Sequence, residues 1–116
     1  MSNTKIKNKK SFSQFFLKSE IIKAVTEMGF NQPTPIQEKV IPHLISSSQD
    51  LIASAQTGTG KTAAFGLPVL STTNTEDSSV QALILCPTRE LCMQITNDLI
   101  SYSKYLKSLN LSLIHI

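Results

Sequence analysis

The sequence predicts an α/β fold, a parallel sheet with flanking helices, and three observations support this prediction. Short apolar runs at 51–55, 81–86 and 111–116 have the length of buried strands. Segments whose apolar residues recur with helical spacing stand before and between these runs. A glycine-rich turn with the spacing of a phosphate-binding loop follows the first run. Because strands that alternate with helices form parallel sheets with right-handed crossovers, the helices are expected to cover the sheet.

Two helices are predicted before the first strand. Ser19 can cap the first, whose apolar residues share one face, and Gly29 supplies its stop signal. The segment 34–37, Thr-Pro-Ile-Gln, has the pattern of a capping box with proline at the first helical position, so it predicts the start of the second helix. Pro42 is expected to kink or break that helix. His43 follows it with no partner residues beside it, and no functional role is assigned to it.

Two further helices are predicted after the glycine-rich turn. The first covers 61–70, with a disturbance expected at Pro68. The segment 71–79 contains no apolar residue and is predicted to be a surface loop. Thr88 can cap the last helix, over 89–107, whose apolar residues are spaced to cover a sheet.

Composition indicates a soluble globular protein, with 41% hydrophobic and 16% charged residues. No apolar run approaches the roughly 18 residues that span a bilayer, and no secretion signal is apparent, so we expect no membrane contact and a cytoplasmic location. Four lysines and no acid fall in 1–10, which favours a disordered basic tail over 1–11 ahead of one domain over 12–116; loose attraction to a polyanion is the alternative. Cys86 and Cys92 have neither Cys-x-x-Cys spacing nor a neighbouring histidine, so neither a metal site nor a redox pair is predicted.

The segment 55–62, AQTGTGKT, matches the Walker A spacing except that alanine replaces the first glycine. Glycines at 58 and 60 let the backbone curl so that its N–H groups face a phosphate, Lys61 can reach the β and γ phosphates, and the Thr62 hydroxyl can hold Mg²⁺. Lys61 and Thr62 are therefore the predicted catalytic residues. A flexible turn with a solvated lysine is the alternative. The predicted nucleotide-binding residues of this loop are Ala55, Gln56, Thr57, Gly58, Thr59, Gly60, Lys61 and Thr62.

Three segments in order carry a resemblance to a known family. Phe12 lies 17 residues before Gly29, which opens GFNQPTPIQ at 29–37, and AQTGTGKT at 55–62 and PTREL at 87–91 follow. From Phe12 to about residue 105 the sequence resembles the amino-terminal region of DEAD-box RNA helicases. This resemblance implies an incomplete RecA-like P-loop NTPase domain, with a Q motif over 12–37.

In that family the glutamine of the Q motif reads the adenine edge and the isolated aromatic packs on the base. The resemblance therefore implies these roles for Gln37 and Phe12, and ATP rather than GTP as the nucleotide. A side-chain amide offers a donor and an acceptor together, as adenine requires. The alternatives are a capping-box glutamine at Gln37 and a core aromatic at Phe12.

The PTREL segment implies, by the same resemblance, contacts from Pro87, Thr88 and Arg89 to the RNA backbone. A helix start with unpaired N–H groups and an arginine suits a phosphate, and such contacts carry no sequence preference. The alternative is a capped helix with a surface pair between Arg89 and Glu90.

The Asp-Glu-Ala-Asp box that gives the family its name is absent from the 116 residues. Glu76 and Asp77 are adjacent acids, but they lie in the polar loop and not after an apolar strand. The resemblance also implies a second RecA-like domain. The domain formed by the present residues is expected to be truncated after about the third strand. These residues by themselves are expected to bind ATP weakly at best. A P-loop NTPase of another class, such as a DNA helicase or kinase, and a non-catalytic remnant are the alternatives.

Overall fold

The computed structural model of the chain describes residues 11–54 and 60–106. Residues 1–10 of the predicted tail over 1–11, residues 55–59 of the predicted phosphate loop and the predicted third strand (111–116) lie outside the described residues. All four predicted helices are present, preceded by a short 3-10 helix. The 3-10 helix covers Phe12–Phe15, α1 covers Ser19–Glu27, α2 covers Pro35–Ser46, α3 covers Lys61–Thr72 and α4 covers Arg89–Tyr102.

The α1 helix ends as the sequence predicts and begins differently. Gly29 has a left-handed backbone with φ of 91°, and the Phe30 N–H donates to the Val25 carbonyl at 2.9 Å, which is the Schellman arrangement. The Ser19 cap is wrong, because the helix is capped at Lys18 without a side-chain bond. A residue distant in sequence stabilises the start of the helix instead, because the Lys18 N–H donates to Ser71 Oγ at 2.8 Å.

The capping box at the start of α2 is confirmed. Thr34 Oγ1 accepts from the Gln37 N–H at 3.5 Å, and Gln37 Oε1 accepts from the Thr34 N–H at 2.9 Å. The helix continues through Pro42 to Ser46, so no break occurs at the proline. Pro42 is exposed while Ile41 beside it is fully buried, and packing of the apolar face holds the helix together despite the missing N–H.

The α3 helix lies between α2 and α4 and packs against both. It runs through the buried Pro68 to Thr72, two residues beyond the predicted end, because Ser71 is buried against the start of α1. Gly66 faces α4: a methyl group on it would come within 2.7 Å of Leu99 Cδ2. The absence of a side chain at Gly66 therefore lets the two helices approach closely.

One hydrophobic cluster joins the 3-10 helix to all four α-helices. Ile21, Val25, Ile41 and Leu67 are its most deeply buried large side chains. The other buried members are Phe12, Phe15, Leu17, Ala63, Leu70, Leu99 and Tyr102. No helix within the described ranges is long and apolar enough to cross a membrane.

The two predicted strands that fall within the described residues are not formed as strands. Residues 51–54 and 81–86 have no regular structure, and no backbone hydrogen bond joins them to a neighbour in the part of the chain that is described. The expectation that 81–86 is buried is wrong here, since Leu83 and Leu85 are 77% and 83% exposed. Ile84 and Cys86, which alternate with these two leucines, are half-buried. The helices thus cover one face of this segment, whereas a buried strand needs paired neighbours and cover on both faces.

Candidate nucleotide site and nucleic-acid interface

An open pocket lies between the turn that follows α1 and the start of α3. Its volume is about 540 Å³. The residues that line it are Gly29, Phe30, Asn31, Gln32, Thr34, Gln37 and Gly60. The turn after α1 thus meets Gly60 of the predicted phosphate loop, although the two are far apart in sequence.

Gln37 connects these two segments. Its side chain is only 3% exposed. Its amide oxygen accepts from the Thr34 N–H at 2.9 Å, and its amide nitrogen donates to the Gly60 carbonyl at 3.2 Å. These bonds use one of the two lone pairs of the oxygen and one of the two hydrogens of the nitrogen. The capping-box interpretation of Gln37 is therefore confirmed, and it leaves the amide at the wall of the pocket.

Gly60 is required at its position for two reasons. Its φ of 88° lies in the left-handed region, which costs a residue with a side chain about 1–2 kcal/mol. A Cβ atom on it would also overlap Gln37 Nε2 and lie 3.2 Å from Thr34 Oγ1. The backbone can therefore approach Gln37 only with glycine at position 60.

Lys61 and Thr62 are the first two residues of α3. Backbone N–H groups at a helix start have no partner within the helix, and the helix dipole adds positive potential there. Lys61 is exposed and Thr62 is half-buried. This end of α3 can therefore accept an anion, with the Lys61 ammonium and the Thr62 hydroxyl beside it. A helix start of this kind is a common site for phosphate groups.

The aromatic residue at the pocket is Phe30, which sequence reasoning did not select. Phe12 is 3% exposed and packs in the core, with its ring centroid 5.8 Å from that of Phe15 and 6.0 Å from that of Phe30. The core interpretation of Phe12 is thus confirmed, and Phe12 is not among the residues that line the pocket. A sequence signal for Phe30 was present: it directly follows Gly29, the predicted stop of α1, and both residues line the pocket.

The PTREL segment lies at the start of α4. Thr88 Oγ1 accepts from the Leu91 N–H at 3.1 Å, so the predicted cap is confirmed. Pro87, Thr88 and Arg89 are all exposed. Among the described residues, no ion pair joins Arg89 to Glu90. The salt bridge found there joins Lys104 Nζ to Glu27 Oε1 at 2.7 Å. The exposed cationic side chain therefore stands beside a capped helix start.

Asp77 of the polar loop forms hydrogen bonds within its own turn. Asp77 Oδ1 accepts from the Ser79 N–H at 2.9 Å and from Ser79 Oγ at 2.7 Å. These hydrogen bonds lower the pKa of the Asp77 carboxyl. Within 11–54 and 60–106 no three histidine, cysteine or acidic residues come together as a metal site. Asp77 therefore stabilises its own turn.

Comparison with known proteins assigns the chain to a family. A family model described as "DEAD/DEAH box helicase" matches residues 34–115. The chain belongs to this helicase family. Its match includes the capping box of α2, the glycine-rich loop and the PTREL segment.

Similar proteins have names that agree with this family. The chain is 52% identical over 100 residues to the ATP-dependent RNA helicase CshA of Listeria monocytogenes, covering 84% of this chain and 19% of that protein. It is 45% identical over 101 residues to the DEAD-box ATP-dependent RNA helicase RhpA of Helicobacter pylori, covering 87% of this chain and 20% of RhpA. The chain thus spans about one fifth of the length of these relatives.

Solved helicase structures share the fold of the described region. The structure of S. cerevisiae Dbp5 bound to RNA and ADP BeF3 matches with a TM-score of 0.81 and 41% identity, over 84% of this chain and 25% of the Dbp5 chain. Prp28 from Chaetomium thermophilum bound to ADP matches with a TM-score of 0.77 and 36% identity, over 90% of this chain and 26% of the Prp28 chain. The helices therefore have the arrangement found in part of the DEAD-box helicase fold.

Proposed function

We propose that the chain is the ATP-binding part of a DEAD-box RNA helicase, whose activity as a whole protein is ATP-dependent unwinding or remodelling of RNA. The observation that carries this proposal is the hydrogen bond from Gln37 to the Gly60 carbonyl, 3.2 Å long. It brings the segment that the family uses for adenine to the end of the loop that the Walker A spacing assigns to phosphates. The segment proposed to bind the base and the helix start proposed to bind the phosphates are thus neighbours.

The phosphate end of the proposed site lies at the start of α3. Backbone N–H groups of 55–60 would surround the phosphates, and the Lys61 ammonium would neutralise the β and γ phosphates. The Thr62 hydroxyl would hold Mg²⁺, which lowers the negative charge on the phosphate oxygens when it is bound. Lys61 and Thr62 thus bind and orient the reacting end of ATP.

The base end of the proposed site lies in the pocket after α1. Gln37 would offer its remaining amide hydrogen and lone pair to the adenine edge. Phe30 lines the pocket and would present a ring to the base, while Phe12 supports the Phe30 ring from the core. In this arrangement Phe12 acts on the base through Phe30.

The proposed RNA contacts lie at the start of α4. Pro87, Thr88 and Arg89 are exposed there, and Arg89 is the single arginine of the chain. A guanidinium beside a helix start binds a phosphate oxygen and ignores the base, so the expected contact is to the RNA backbone. The RNA in the Dbp5 complex supports RNA as the polymer.

The proposal extends to the sheet and to the limits of this polypeptide. Residues 51–55, 81–86 and 111–116 would pair as parallel strands of a RecA-like domain, with the exposed Leu83 and Leu85 on the face away from the helices. The Asp-Glu-Ala-Asp sequence is absent from the 116 residues. These residues alone are therefore proposed to bind ATP weakly and to hydrolyse none, in a protein that works in the cytoplasm.

Membership of the helicase family disfavours a P-loop NTPase of another class.

The test of the proposed ATP site is binding of a fluorescent ATP analogue with Mg²⁺, followed by competition with ATP and GTP. We expect ATP to compete at least tenfold better than GTP, the equivalent of about one hydrogen bond to the base. Equal competition would contradict base recognition by Gln37, and the absence of binding by a folded sample would contradict the ATP site.

Two lysine variants provide the control for this test. Lys61→Ala should abolish binding of the analogue, because the phosphates lose their positive side chain. Lys39→Ala removes a similarly exposed lysine from α2, outside the pocket, and should leave binding unchanged. Equal behaviour of the two variants would show that Lys61 has no special role.

A further inference from the structure

Two other aromatic rings contact the ring of Phe30, the aromatic residue at the pocket. The centroid of the Phe12 ring lies 6.0 Å from that of Phe30, with an interplanar angle of 39°. The centroid of the Tyr102 ring also lies 6.0 Å from that of Phe30, with an angle of 63°, which is an edge-on contact. Phe30 is half-buried and packs against the hydrophobic core. It therefore combines supporting contacts in the core with a place in the wall of the pocket.

Tyr102 contacts Phe30 from a distant part of the chain. It is the last residue of α4 and is only 5% exposed. Tyr102 also borders Gly66 of α3, where a Cβ atom would lie 3.9 Å from Tyr102 Cδ2 and Cε2. Tyr102 is not among the residues that line the pocket. Any effect of Tyr102 on a bound nucleotide must therefore pass through Phe30.

Polar contacts join the same two parts of the chain at the surface. Glu27 is the last residue of α1 and lies three residues before Phe30. Its carboxylate accepts from the Tyr105 hydroxyl at 2.6 Å and forms the salt bridge with Lys104 Nζ at 2.7 Å. Such exposed contacts are weak one by one. They lie beside the packed pair of Phe30 and Tyr102 in sequence, so the ends of α1 and α4 are joined both at the surface and in the core.

We propose that Tyr102 is a positioning residue for the nucleotide base, because its edge-on contact fixes the Phe30 ring in the orientation in which a base packs on it. This inference rests on the proposed function, which assigns the base to Phe30. A base that meets a ring already fixed does not have to restrict the motion of that ring on binding. Tyr102 thus raises the affinity for a nucleotide that it does not touch.

This role determines which part of the affinity depends on Tyr102. Packing of a base on an aromatic ring tolerates any base, since every base has a flat face. The amide of Gln37, in contrast, is proposed to distinguish adenine from guanine. Loss of the Tyr102 ring should therefore weaken the binding of ATP and GTP by the same factor. Inorganic tripolyphosphate has no base, so its binding should not change.

The test measures competition with a fluorescent ATP analogue, in the presence of Mg²⁺, on the full chain and two variants. Tyr102→Leu removes the edge-on contact and should weaken ATP and GTP roughly three- to tenfold, while competition by tripolyphosphate stays the same. Tyr102→Phe keeps the ring and should bind like the unmodified chain. An equal loss for tripolyphosphate, or a loss confined to one of the two nucleotides, would overturn the proposal.

Leu99 provides the matched control on the same helix. It lies about one turn before Tyr102, is also 5% exposed, and has its Cδ2 atom against Gly66 of α3. Leu99→Val should lower stability through lost packing and leave the affinity for nucleotides unchanged. If Tyr102→Leu has no more effect on nucleotide affinity than Leu99→Val, Tyr102 is purely structural and the proposal is wrong. Should Tyr102→Leu unfold, Tyr102→Met, with its longer side chain, takes its place.

A double variant tests whether Tyr102 acts through Phe30. Phe30→Leu removes the ring on which the base is proposed to pack. In that background Tyr102→Leu should cause no further loss of ATP affinity, since the two residues act in one chain of contacts. Independent and additive losses would mean that Tyr102 affects the nucleotide by another route, which contradicts the proposal.

Fluorine NMR tests the contact without any nucleotide. With fluorinated phenylalanine in the full chain, the Phe30 signal is identified by its loss in Phe30→Leu. This signal should shift or broaden in Tyr102→Leu and stay in place in Leu99→Val, and an unmoved signal in Tyr102→Leu would contradict the contact. If the folded chain binds no nucleotide, the proposed function and the positioning of the base fail together. If nucleotides bind and Tyr102→Leu binds them as tightly as the unmodified chain, only the inference about Tyr102 fails.

Discussion

The side-chain amide of Gln37 donates a hydrogen bond across 3.2 Å to the carbonyl oxygen of Gly60. Gln37 is buried in the capping box of α2, and Gly60 has a left-handed backbone at the start of α3. The bond therefore ties Gly60, just before α3, to the helix that carries the proposed base-reading residue. A substitution at either residue should therefore alter the stability cost of a substitution at the other.

A double-mutant cycle tests this tie. Gly60→Ala should destabilise the protein, because its Cβ overlaps Gln37 Nε2 and its backbone is strained. With Gln37→Ala already present the overlap is gone, so Gly60→Ala should cost about 1 kcal/mol less than in the unmodified chain. Urea unfolding measures the four free energies of the cycle.

Gly29 supplies the matched control for that cycle. It has a similar left-handed φ of 91°, but a Cβ on it would meet nothing within 4 Å. Gly29→Ala should cost about 1 kcal/mol from backbone strain alone, and this cost should add to that of Gln37→Ala. Equal coupling of Gln37→Ala to both glycine variants would show that the overlap does not occur.

Phe16 should be replaceable by glycine with a gain in stability. Its φ of 57° lies in the left-handed region, and its side chain is 89% exposed. Phe16→Gly relieves about 1–2 kcal/mol of backbone strain. The greater entropy of glycine in the unfolded chain costs roughly 0.5–1 kcal/mol of stability. The free energy of unfolding should therefore rise by about 0.5–1 kcal/mol. The urea midpoint measures the gain.

The neighbouring Phe15 provides the contrast for Phe16. Phe15 is 6% exposed and packs edge-on against Phe12. Phe15→Ala should cost about 3–5 kcal/mol, as for other buried aromatics. If Phe16→Gly also lowers stability, the exposed ring has a stabilising contact and the strain argument is wrong.

Tyr102 should make the protein lose stability in strong alkali. Burial, and after it the charge of Asp98, raise the pKa of Tyr102 to about 12. A raised tyrosine pKa means that the folded state holds the proton more tightly, so this contribution is complete below the ordinary value near 10 and is lost as the pH rises toward 12. Absorbance of tyrosinate in folded and urea-unfolded samples measures the two titrations.

Tyr105 must be separated from Tyr102 in that experiment. A hydrogen bond to Glu27 is the main cause that raises the pKa of Tyr105, which is held against the end of α1. The Tyr105→Phe variant leaves Tyr102 as the only tyrosine, and its titration should still be displaced upward. A Tyr102 that titrates near 10 in the folded variant would contradict its burial.

Local signals allowed the helices to be predicted, because their partners are close in sequence. The Thr34 and Gln37 capping box, the Thr88 cap and the Gly29 stop each involve residues within a few positions of one another. Side chains and backbone groups within about one helical turn of each other decide such features. The family motifs likewise assigned Gln37 and Gly60 to one predicted site, and a hydrogen bond joins the two residues.

Features that depend on distant contacts could not be predicted in the same way. The start of α1 is stabilised by the hydrogen bond from the Lys18 N–H to Ser71 Oγ. A capping rule that considers only neighbouring residues cannot predict this bond. Phe12 and Phe30 are both plausible aromatics for a base, and only packing decides that Phe30 lines the pocket. The exposed Leu83 and Leu85 show that an apolar run is buried only where other segments cover it.

The contact of α3 with α4 should tolerate a branched side chain at Gly66 only if Leu99 is shortened. A Cβ at Gly66 lies 2.7 Å from Leu99 Cδ2 and 3.9 Å from Tyr102 Cδ2. Gly66→Ala should be nearly neutral, because the end of Leu99 can rotate away and alanine favours the helix by about 1 kcal/mol. Gly66→Val adds branches that cannot be avoided and should cost about 1–3 kcal/mol.

Leu99→Ala provides the compensating change for Gly66→Val. Alone it leaves a cavity and should cost about 2–5 kcal/mol. Combined with Gly66→Val, the new methyl groups occupy part of that cavity, so the double variant should be at least about 1 kcal/mol more stable than the sum of the two single costs predicts. Thermal and urea unfolding measure these differences. Strict additivity would mean that Gly66 and Leu99 do not touch, and the close approach of α3 and α4 would then lose its support.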